Sequence, residues 1–380
     1  MEPSEFKSER TGKLKSIPNT IFHCFEPNEL PFEVKYTPEI VKLISEASLS
    51  LGNLSEAGRK LLNPHLLIMP YLKKEAVLSS KIEGTKTTLS DVFMHEAEKK
   101  KRTKDDDLQE VMNYVKAMQD GLSRINTEKL SVQMIKDLHK ILLTGVRGEY
   151  KDPGKFKTEI NWIGTSYDIM EAKFVPCGPE SVERLMINLI EYLNNHNETN
   201  LIKIGISHYQ FETIHPFRDG NGRLGRLLII LYLCQEKIIS QPLFYISAFF
   251  VKFREDYDAR LKRVSTAGDV EGWLKFFLTG VKKQADDAVL RVEKMEELRE
   301  KYRQKLLDIS QSTTVHHILD YLFENPFLTI PEVKERLKCH YSKAKYNVEI
   351  LLSAGIISEV EREKGARLFI ANEIFEILEL

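Results

Sequence analysis

Residues 215–226 read HPFRDGNGRLGR and bring together the side chains that handle a polyphosphate. Gly220 and Gly222 allow the backbone to approach a ligand closely. The free N–H groups at the start of the following helix would form an anion-binding nest, aided by the helix dipole. Arg223 and Arg226 lie three residues apart on one helix face, so both guanidinium groups can reach the same phosphate chain.

Two further residues of the same run could act on a phosphate bound there. Asp219 would repel a bare phosphate, so it is predicted to bind a magnesium ion that bridges phosphate oxygens. His215 lies one turn earlier and could take the proton of an attacking hydroxyl, because imidazole titrates near neutral pH. Phe217 is expected to point inward and hold the loop to the core, and Asn221 to bond the phosphates or the loop backbone.

A different chemistry is open to part of this run. His208, Glu212, His215 and Asp219 could form a metal-hydrolase cluster along one helical flank. That interpretation leaves both glycines and both arginines without a role, and its spacing matches no zinc signature. Any one of these residues alone is more often structural, so the phosphate prediction depends on their joint occurrence.

The composition is that of a folded, soluble chain. Of 380 residues, 42% are hydrophobic, and the 55 basic and 56 acidic residues nearly cancel, so overall charge predicts neither nucleic-acid nor membrane binding. The four cysteines show no metal-site spacing and are predicted to be reduced thiols. The N-terminus lacks an apolar signal core, and no apolar run is long enough to span a bilayer, which favours a cytoplasmic protein.

The elements that must position the run are mostly helices. Apolar residues recur at helical spacing from Pro38 onward, whereas residues 1–35 look irregular. Turn residues around KFKTEINWIG predict a β-hairpin over 145–164. A long charged helix is predicted to end near residue 312. Beyond it, three short helices and two strand-like pieces with Gly365 at their turn predict a winged helix-turn-helix module.

The run matches the whole motif HxFx(D/E)GNGRxxR, and the chain resembles the Fic family over roughly residues 40 to 285. Members of that family mostly transfer AMP from ATP to protein hydroxyls. The upstream pieces LHKILL, PGKFK, WIG and FVPCGPESVERLM resemble the approach to a β-hairpin flap that clamps the target segment. Lys157 stands where many members carry arginine, which indicates a different target preference.

The resemblance also implies the reaction and the nucleotide site. Kinase-like relatives replace the two glycines by bulkier residues, and both glycines are intact here, so AMP is the expected transferred group. The piece SAFFVKFREDYDARL resembles the helix that closes the adenine pocket, with Tyr257 followed by Asp258 where the family often has a second tyrosine. The implied set is His215 as catalytic residue, Asp219 as magnesium ligand, and, around ATP, Glu83, Asp219, Gly220, Asn221, Gly222, Arg223, Leu224, Gly225, Arg226 and Tyr257.

The piece SSKIEGT matches the family's inhibitory pattern (S/T)xxxE(G/N) through Ser79, Glu83 and Gly84. The resemblance implies that Glu83, at the end of an inhibitory helix over about residues 65–84, holds Arg226 in an ion pair and so blocks the γ-phosphate. The simpler alternative is a surface glutamate followed by a glycine that caps the helix.

The predicted fold is mainly α: a Fic-type helical bundle with a β-hairpin flap and a C-terminal winged helix-turn-helix domain. The predicted segments are 1–107 with the inhibitory helix, a catalytic core over 108–285, a linker helix over 286–312 and the winged-helix module over 313–380. A target protein is expected at the flap near Lys157 to Gly164, and a homodimer is allowed. The module has eight basic against eleven acidic residues, a net charge of minus three, which disfavours DNA and favours a regulatory contact.

Two other functions stay open at this point. One is the reverse reaction, hydrolysis of AMP-protein with Glu83 positioning the water. The other is a transcription regulator whose Fic core only senses a ligand.

Overall fold

The computed structural model describes residues 1–61, 63–98, 105–164, 168–310, 312–361 and 366–379. Most of the charged run that follows Glu98, and the predicted turn at Gly365, lie outside the described residues. Within these ranges, no helix combines the length and apolar character that crossing a membrane requires.

The N-terminal segment forms a β-hairpin, so the prediction that residues 1–35 are irregular was wrong. Strands β1 (Gly12–Ser16) and β2 (His23–Pro27) pair antiparallel, with Gly12 opposite Pro27. Phe25 is fully buried, and its ring lies 5.7 Å from that of Phe174. Five-residue strands are too short for alternation to stand out, and this hairpin is stabilised by packing against a distant part of the chain.

Helices dominate the rest of the chain, as predicted. Serine, threonine and aspartate side chains cap several of them, as Ser131 does by accepting the backbone N–H of Met134. The helices up to the C-terminal module are α1 (Pro38–Lys60), α2 (His65–Ile82), α3 (Leu89–Ala97), α4 (Asp106–Arg124), α5 (Val132–Leu143), α6 (Pro179–Asn195), α7 (Asn200–Ile214), α8 (Asn221–Gln235), α9 (Ser247–Lys252), α10 (Arg254–Ala267) and α11 (Val270–Ile309).

The hairpin predicted over 145–164 does not form within those residues. The piece KFKTEIN has no strand pairing, and a single antiparallel bridge joins Ile163 to Phe174. The Ile163 N–H donates to the Phe174 carbonyl at 2.8 Å, and the Lys173 N–H donates to the Ile163 carbonyl at 2.9 Å. We call the segment closed by this bridge the flap, of which residues 165–167 lie outside the described residues.

The C-terminal module follows α11 in the order α12 (Thr313–Glu324), β3 (Phe327–Thr329), α13 (Ile330–Arg336), α14 (Tyr341–Ser353), β4 (Ser358–Val360), β5 (Leu368–Ile370) and α15 (Asn372–Glu379). The strands form one antiparallel sheet in the order β3-β5-β4. The three helices and the last two strands are where the sequence predicts them, whereas β3 and α15 were not predicted. The three-residue strand β3 is too short to give a sequence signal.

The module packs directly against α2 and α3. Asn325 donates from Nδ2 to the Phe93 carbonyl at 3.1 Å, and Thr329 donates to the Ala97 carbonyl at 3.2 Å. One continuous apolar core runs from α1 into the module. The predicted boundary between residues 285 and 286 falls inside α11, a single uninterrupted helix. Helix α2 contacts α4, α8 and α9, and it also contacts α12 of the module.

Candidate active site

The motif HPFRDGNGRLGR forms the loop between α7 and α8 and the first turns of α8. Helix α7 ends at His215, which is left-handed with φ of 49° and ψ of 61°. Helix α8 begins after Gly220, which is also left-handed with φ of 74°. Gly220 suits this conformation because it lacks a Cβ. The first N–H groups of an α-helix have no intrahelical acceptor and can bind an anion, so the start of α8 fits the predicted anion site, which stays a prediction.

Asn221 and Phe217 fix the shape of this loop. The Asn221 Nδ2 donates to the Phe217 carbonyl at 2.8 Å, and the Phe217 N–H donates to Asn221 Oδ1 at 2.9 Å. Phe217 is fully buried and stacks on His139 at a centroid distance of 3.8 Å. Phe217 therefore has the inward position predicted, and the side chain of Asn221 bonds the loop backbone.

His139 is a residue of the loop's support that sequence reasoning did not single out. The Gly154 N–H donates to His139 Nδ1 at 2.8 Å, so Nε2 carries the proton and donates to the Asp219 carbonyl at 2.9 Å. Burial lowers the pKa of His139 to about 4, which keeps the ring neutral. His139 thereby ties the Asp219 backbone to α5.

Arg223 is held by a carboxylate that sequence reasoning did not single out. Arg223 Nη1 lies 2.9 Å from Glu110 Oε2 on α4, and both side chains are buried. Glu110 also accepts from Arg147 Nε at 3.1 Å. The Nε of Arg223 is buried and has no hydrogen-bond partner among the described residues.

Arg226 is bound by the predicted inhibitory residues. Its Nη2 donates to Glu83 Oε1 at 2.6 Å and to the Ser79 carbonyl at 3.0 Å, and its Nε donates to Ser79 Oγ at 2.9 Å. The Arg226 side chain is 1% exposed and that of Glu83 is 38% exposed. Burial acts to raise the pKa of Glu83, but the charge and hydrogen bond of Arg226, with the charges of Arg223 and Arg254, together lower the pKa below its usual value.

Gly222 explains how the Glu83 carboxylate reaches this position. A Cβ at Gly222 would lie 2.2 Å from Glu83 Oε1 and 2.9 Å from Arg226 Nη1. Only glycine leaves room for the carboxylate against the first turn of α8. Gly84 has φ of 97°, so it also ends α2 as a capping glycine. The structure thus contains both the ion pair and the capping glycine, and the inhibitory role of Glu83 stays a prediction.

Asp219 has one half-exposed carboxylate at the mouth of the nest. Its side chain is 44% exposed and lies 3.9 Å from Arg223 Nη2, and Oδ1 accepts the Gly220 N–H at 2.6 Å. Oxygen ligands of this kind suit Mg²⁺, which retains waters and takes further ligands from phosphates. Among the described residues, no group of three or more His, Cys, Asp or Glu side chains could hold a metal by itself.

The rival metal-hydrolase cluster is therefore not assembled. His208 is buried, and its Nε2 lies 2.8 Å from the Tyr257 hydroxyl. Burial and the nearby Arg226 charge lower the pKa of His208 to about 3. Tyr257 is buried and stacks on Phe250 at 4.4 Å. Its predicted contact with adenine stays a prediction.

His215 is neutral over most of the pH range. Burial, followed by the charge of Lys157, lowers its pKa to about 4, against the opposing effects of the Glu212 carbonyl and the Glu83 carboxylate. A neutral imidazole can accept a proton, as the predicted catalytic role requires. Its Nδ1 is buried with no hydrogen-bond partner among the described residues.

Three residues of the predicted contacts are buried in the structure, and their contacts with ATP or a target protein stay predictions. Lys157 is only 3% exposed. Leu224 is fully buried in the core, and its N–H donates to the Gly220 carbonyl within the helix. Gly225 packs against α7, where a Cβ would lie 2.4 Å from Glu212 Oε1. Leu224 and Gly225 follow the helical packing of α8, which a linear motif does not reveal.

Family comparisons agree with this geometry. Residues 41–123 match the Fic/DOC family N-terminal model, and residues 129–233 match the Fic/DOC family model. The chain belongs to the Fic/DOC family. The second match contains the whole loop between α7 and α8, and the first contains Ser79, Glu83 and Gly84. Helices α9 to α15 lie beyond both Fic/DOC matches.

Curated relatives align over part of the chain. The protein adenylyltransferase fic-1 of Caenorhabditis briggsae is 28% identical over 151 residues, which is 39% of this chain and 26% of that protein. A probable protein adenylyltransferase of Aquifex aeolicus is 38% identical over 73 residues, 19% of this chain and 23% of that protein. The matched segments thus span about a quarter of these relatives' length.

The fold of the chain is also similar to that of a solved structure. The crystal structure of a Fic family protein from Desulfovibrio desulfuricans superposes with a TM-score of 0.60 at 21% identity, covering 89% of this chain and 97% of that one. At this identity the likeness concerns the fold alone.

Proposed function

We propose that the chain is a protein adenylyltransferase, which transfers AMP from ATP to a Ser, Thr or Tyr hydroxyl of a target protein or of itself. The observation that carries the proposal is one loop that sets a neutral His215 beside an anion nest, with Arg223 and Arg226 on the same helix. The names of the curated relatives support the reaction class. Binding and orientation of the phosphates supply most of the catalysis in such transfers.

The transfer step uses the residues in defined roles. The α-phosphate lies against the N–H groups at the start of α8, where its developing negative charge is stabilised. The target hydroxyl attacks the α-phosphorus, its oxygen forms the new bond, and the bond to the β-phosphate oxygen breaks. His215 takes the hydroxyl proton, and diphosphate leaves. Asp219 would hold a magnesium ion, which supplies charge neutralisation when it is bound.

The proposed inhibited state follows from the Glu83–Arg226 ion pair. Glu83 occupies the guanidinium that would bind the γ-phosphate and lies against Gly222 at the nest. Two anions cannot share this position, so ATP would bind with its γ-phosphate displaced. Displacement of the Glu83 carboxylate would then relieve the inhibition.

The target segment is proposed to lie along the flap beside the bridge between Ile163 and Phe174. An extended segment can bind at such an edge by β-strand addition. The Thr158, Glu159 and Gly164 positions are exposed there, whereas Lys157 is not. The C-terminal module contacts the inhibitory helix α2, which supports a regulatory role for it.

Labelled ATP offers a direct test of the proposal. A lysate treated with the Glu83→Gly variant and labelled ATP should contain proteins with added AMP, identified by mass spectrometry. The His215→Ala, Glu83→Gly double variant is the control and should give none. If neither the lysate proteins nor the enzyme itself carry added AMP, the transferase proposal is contradicted. Release of AMP from a modified protein that needs Glu83 would favour the hydrolase instead.

Asp219→Ala should remove both transfer and the magnesium dependence of ATP binding. Without the carboxylate, the ion would lose its protein ligand, and its share of the phosphate charge would go uncompensated. The measurement is calorimetric ATP binding at increasing Mg²⁺, in parallel with transfer. Asp286→Ala is the matched control, because Asp286 is 44% exposed, as Asp219 is, and is paired with Lys282. A magnesium titration unchanged in Asp219→Ala would exclude this role.

Transfer by the Glu83→Gly variant should be on a plateau between about pH 6 and 8. The pKa of His215 is about 4, so the imidazole is already the neutral base well below this range. Initial rates at saturating ATP and magnesium would show the plateau. A tenfold rise per pH unit through this range would mean that a group other than neutral His215 limits the reaction.

A further inference from the structure

Two residues, Lys157 and Asn161, together donate hydrogen bonds to four consecutive backbone carbonyls of the catalytic loop. The bonds run from Lys157 Nζ to Ile214 O at 3.2 Å, from Asn161 Nδ2 to His215 O at 3.3 Å, from the Lys157 N–H to Pro216 O at 2.8 Å, and from Asn161 Nδ2 to Phe217 O at 2.8 Å. We call Lys157 and Asn161 the carbonyl clamp.

The loop needs such support for two reasons. The last carbonyls of a helix have no intrahelical donors, and these carbonyls are buried beside α8. His215 also adopts φ of 49°, a left-handed conformation that is uncommon for residues other than glycine. A conformation of this kind persists only where surrounding bonds determine it. The carbonyl clamp provides those bonds on both sides of His215.

The two clamp residues also fix each other. Lys157 Nζ donates to Asn161 Oδ1 at 2.7 Å, which turns the Asn161 Nδ2 towards the loop carbonyls. Burial lowers the pKa of Lys157 to about 8, and the side chain is only 3% exposed. An apolar side chain of similar length would fill this space without the cost of burying an ammonium. The buried lysine therefore contributes something other than packing.

We propose that Lys157 and Asn161 are positioning residues that hold His215 in its catalytic backbone conformation. The inference rests on the proposed function, since it takes His215 as the base. It replaces the expectation that Lys157 sets target preference. The Lys157 ammonium also lies near enough to the imidazole to favour its neutral form.

The test compares Lys157→Met, Lys157→Arg and Asn161→Asp in the Glu83→Gly variant. Lys157→Met keeps the length and loses the Nζ donor, and Asn161→Asp turns a donor to two carbonyls into a repelling oxygen. Both should lower kcat on the order of 10- to 100-fold with little change in KM for ATP, because misplacement of the base affects the chemical step. Lys157→Arg keeps a charged donor and should restore most of the rate.

Lys203→Met is the matched control for the loss of a buried lysine. Lys203 is 6% exposed, and its Nζ also donates to one carbonyl, that of Leu193 at 3.2 Å. It lies at the start of α7, away from the loop. Lys203→Met should lower the thermal unfolding temperature about as much as Lys157→Met and leave kcat unchanged. Should Lys157→Met fail to fold, Asn161→Asp still decides the question.

A second measurement does not depend on activity. The charged groups that act on the His215 ring are Lys157, from the segment before the flap, and Glu83, from α2, together with the Glu212 carbonyl. With Glu83 replaced by glycine throughout, NMR titration of His215 should show a higher pKa in Lys157→Met and an unchanged pKa in Lys203→Met.

The possible results distinguish a failure of the positioning role from a failure of the proposed function. Rates in Lys157→Met and Asn161→Asp equal to those of the Glu83→Gly parent, or a loss shared equally by Lys203→Met, would overturn the positioning role. An inactive parent would instead contradict the proposed function, and the NMR titration would still test the clamp.

Discussion

Replacement of His215 by alanine is expected to abolish AMP transfer while ATP binding largely survives. The imidazole is the proposed acceptor of the hydroxyl proton, and loss of a positioned base costs about 10²- to 10⁴-fold in rate. The nest at the start of α8, Arg223 and Asp219 are all untouched by the change. Radiolabel transfer and calorimetric ATP binding, both in the Glu83→Gly background, measure the two effects separately.

The left-handed backbone at His215 calls for a second variant. Alanine is strained at φ of 49°, so part of its effect could come from the loop conformation. Asparagine tolerates this conformation and cannot act as the base, so His215→Asn should lose transfer as fully as alanine does. His196→Ala, at the C-terminal cap of α6, is the control for a remote histidine. Transfer by either His215 variant near the parent rate would show that the catalytic assignment is wrong.

The central motif could be predicted because its chemistry is local. Gly220 and Gly222, Arg223 and Arg226 lie within two helical turns, so spacing alone determines that they meet. The Glu83–Arg226 pair spans 143 residues, and spacing could not predict it. Only the likeness of SSKIEGT to a family pattern indicated it, and the structure places the two groups 2.6 Å apart.

The residues that support the motif could not be predicted either, because they contact it from segments that are far away in the sequence. Glu110, His139 and Lys157 act through hydrogen bonds to segments that are distant in the sequence, where each looks like an ordinary polar residue. The family resemblance predicts an effect of Lys157 on target preference, because many members carry arginine at its position. Its partners are backbone carbonyls, which no side-chain pattern reports. The β1–β2 hairpin was missed likewise, since it depends on burial of Phe25 against Phe174.

Glu83→Gly is expected to raise transfer about tenfold. A hydrogen-bonded charged pair contributes about 1.5 to 3 kcal/mol, and the lower value applies because the Glu83 side chain is 38% exposed. About 1.4 kcal/mol corresponds to a factor of ten. The measurement is auto-modification at saturating ATP. Glu128→Gly is the matched control, because it removes an Arg–Glu pair of the same 2.6 Å length, with Arg124, and should not activate.

The gain should depend on Arg226 itself. After the change, Arg226 would still donate to the hydroxyl and the carbonyl of Ser79, so the guanidinium would stay in place. The N–H that bonds Glu83 would then be available to the γ-phosphate. The double variant Glu83→Gly, Arg226→Ala should therefore lose most of the gain, a non-additivity expected of groups in direct contact. If removal of Glu83 activates equally with and without Arg226, competition for the guanidinium is not the mechanism. If Glu83→Gly stays at the wild-type rate, Glu83 only caps α2.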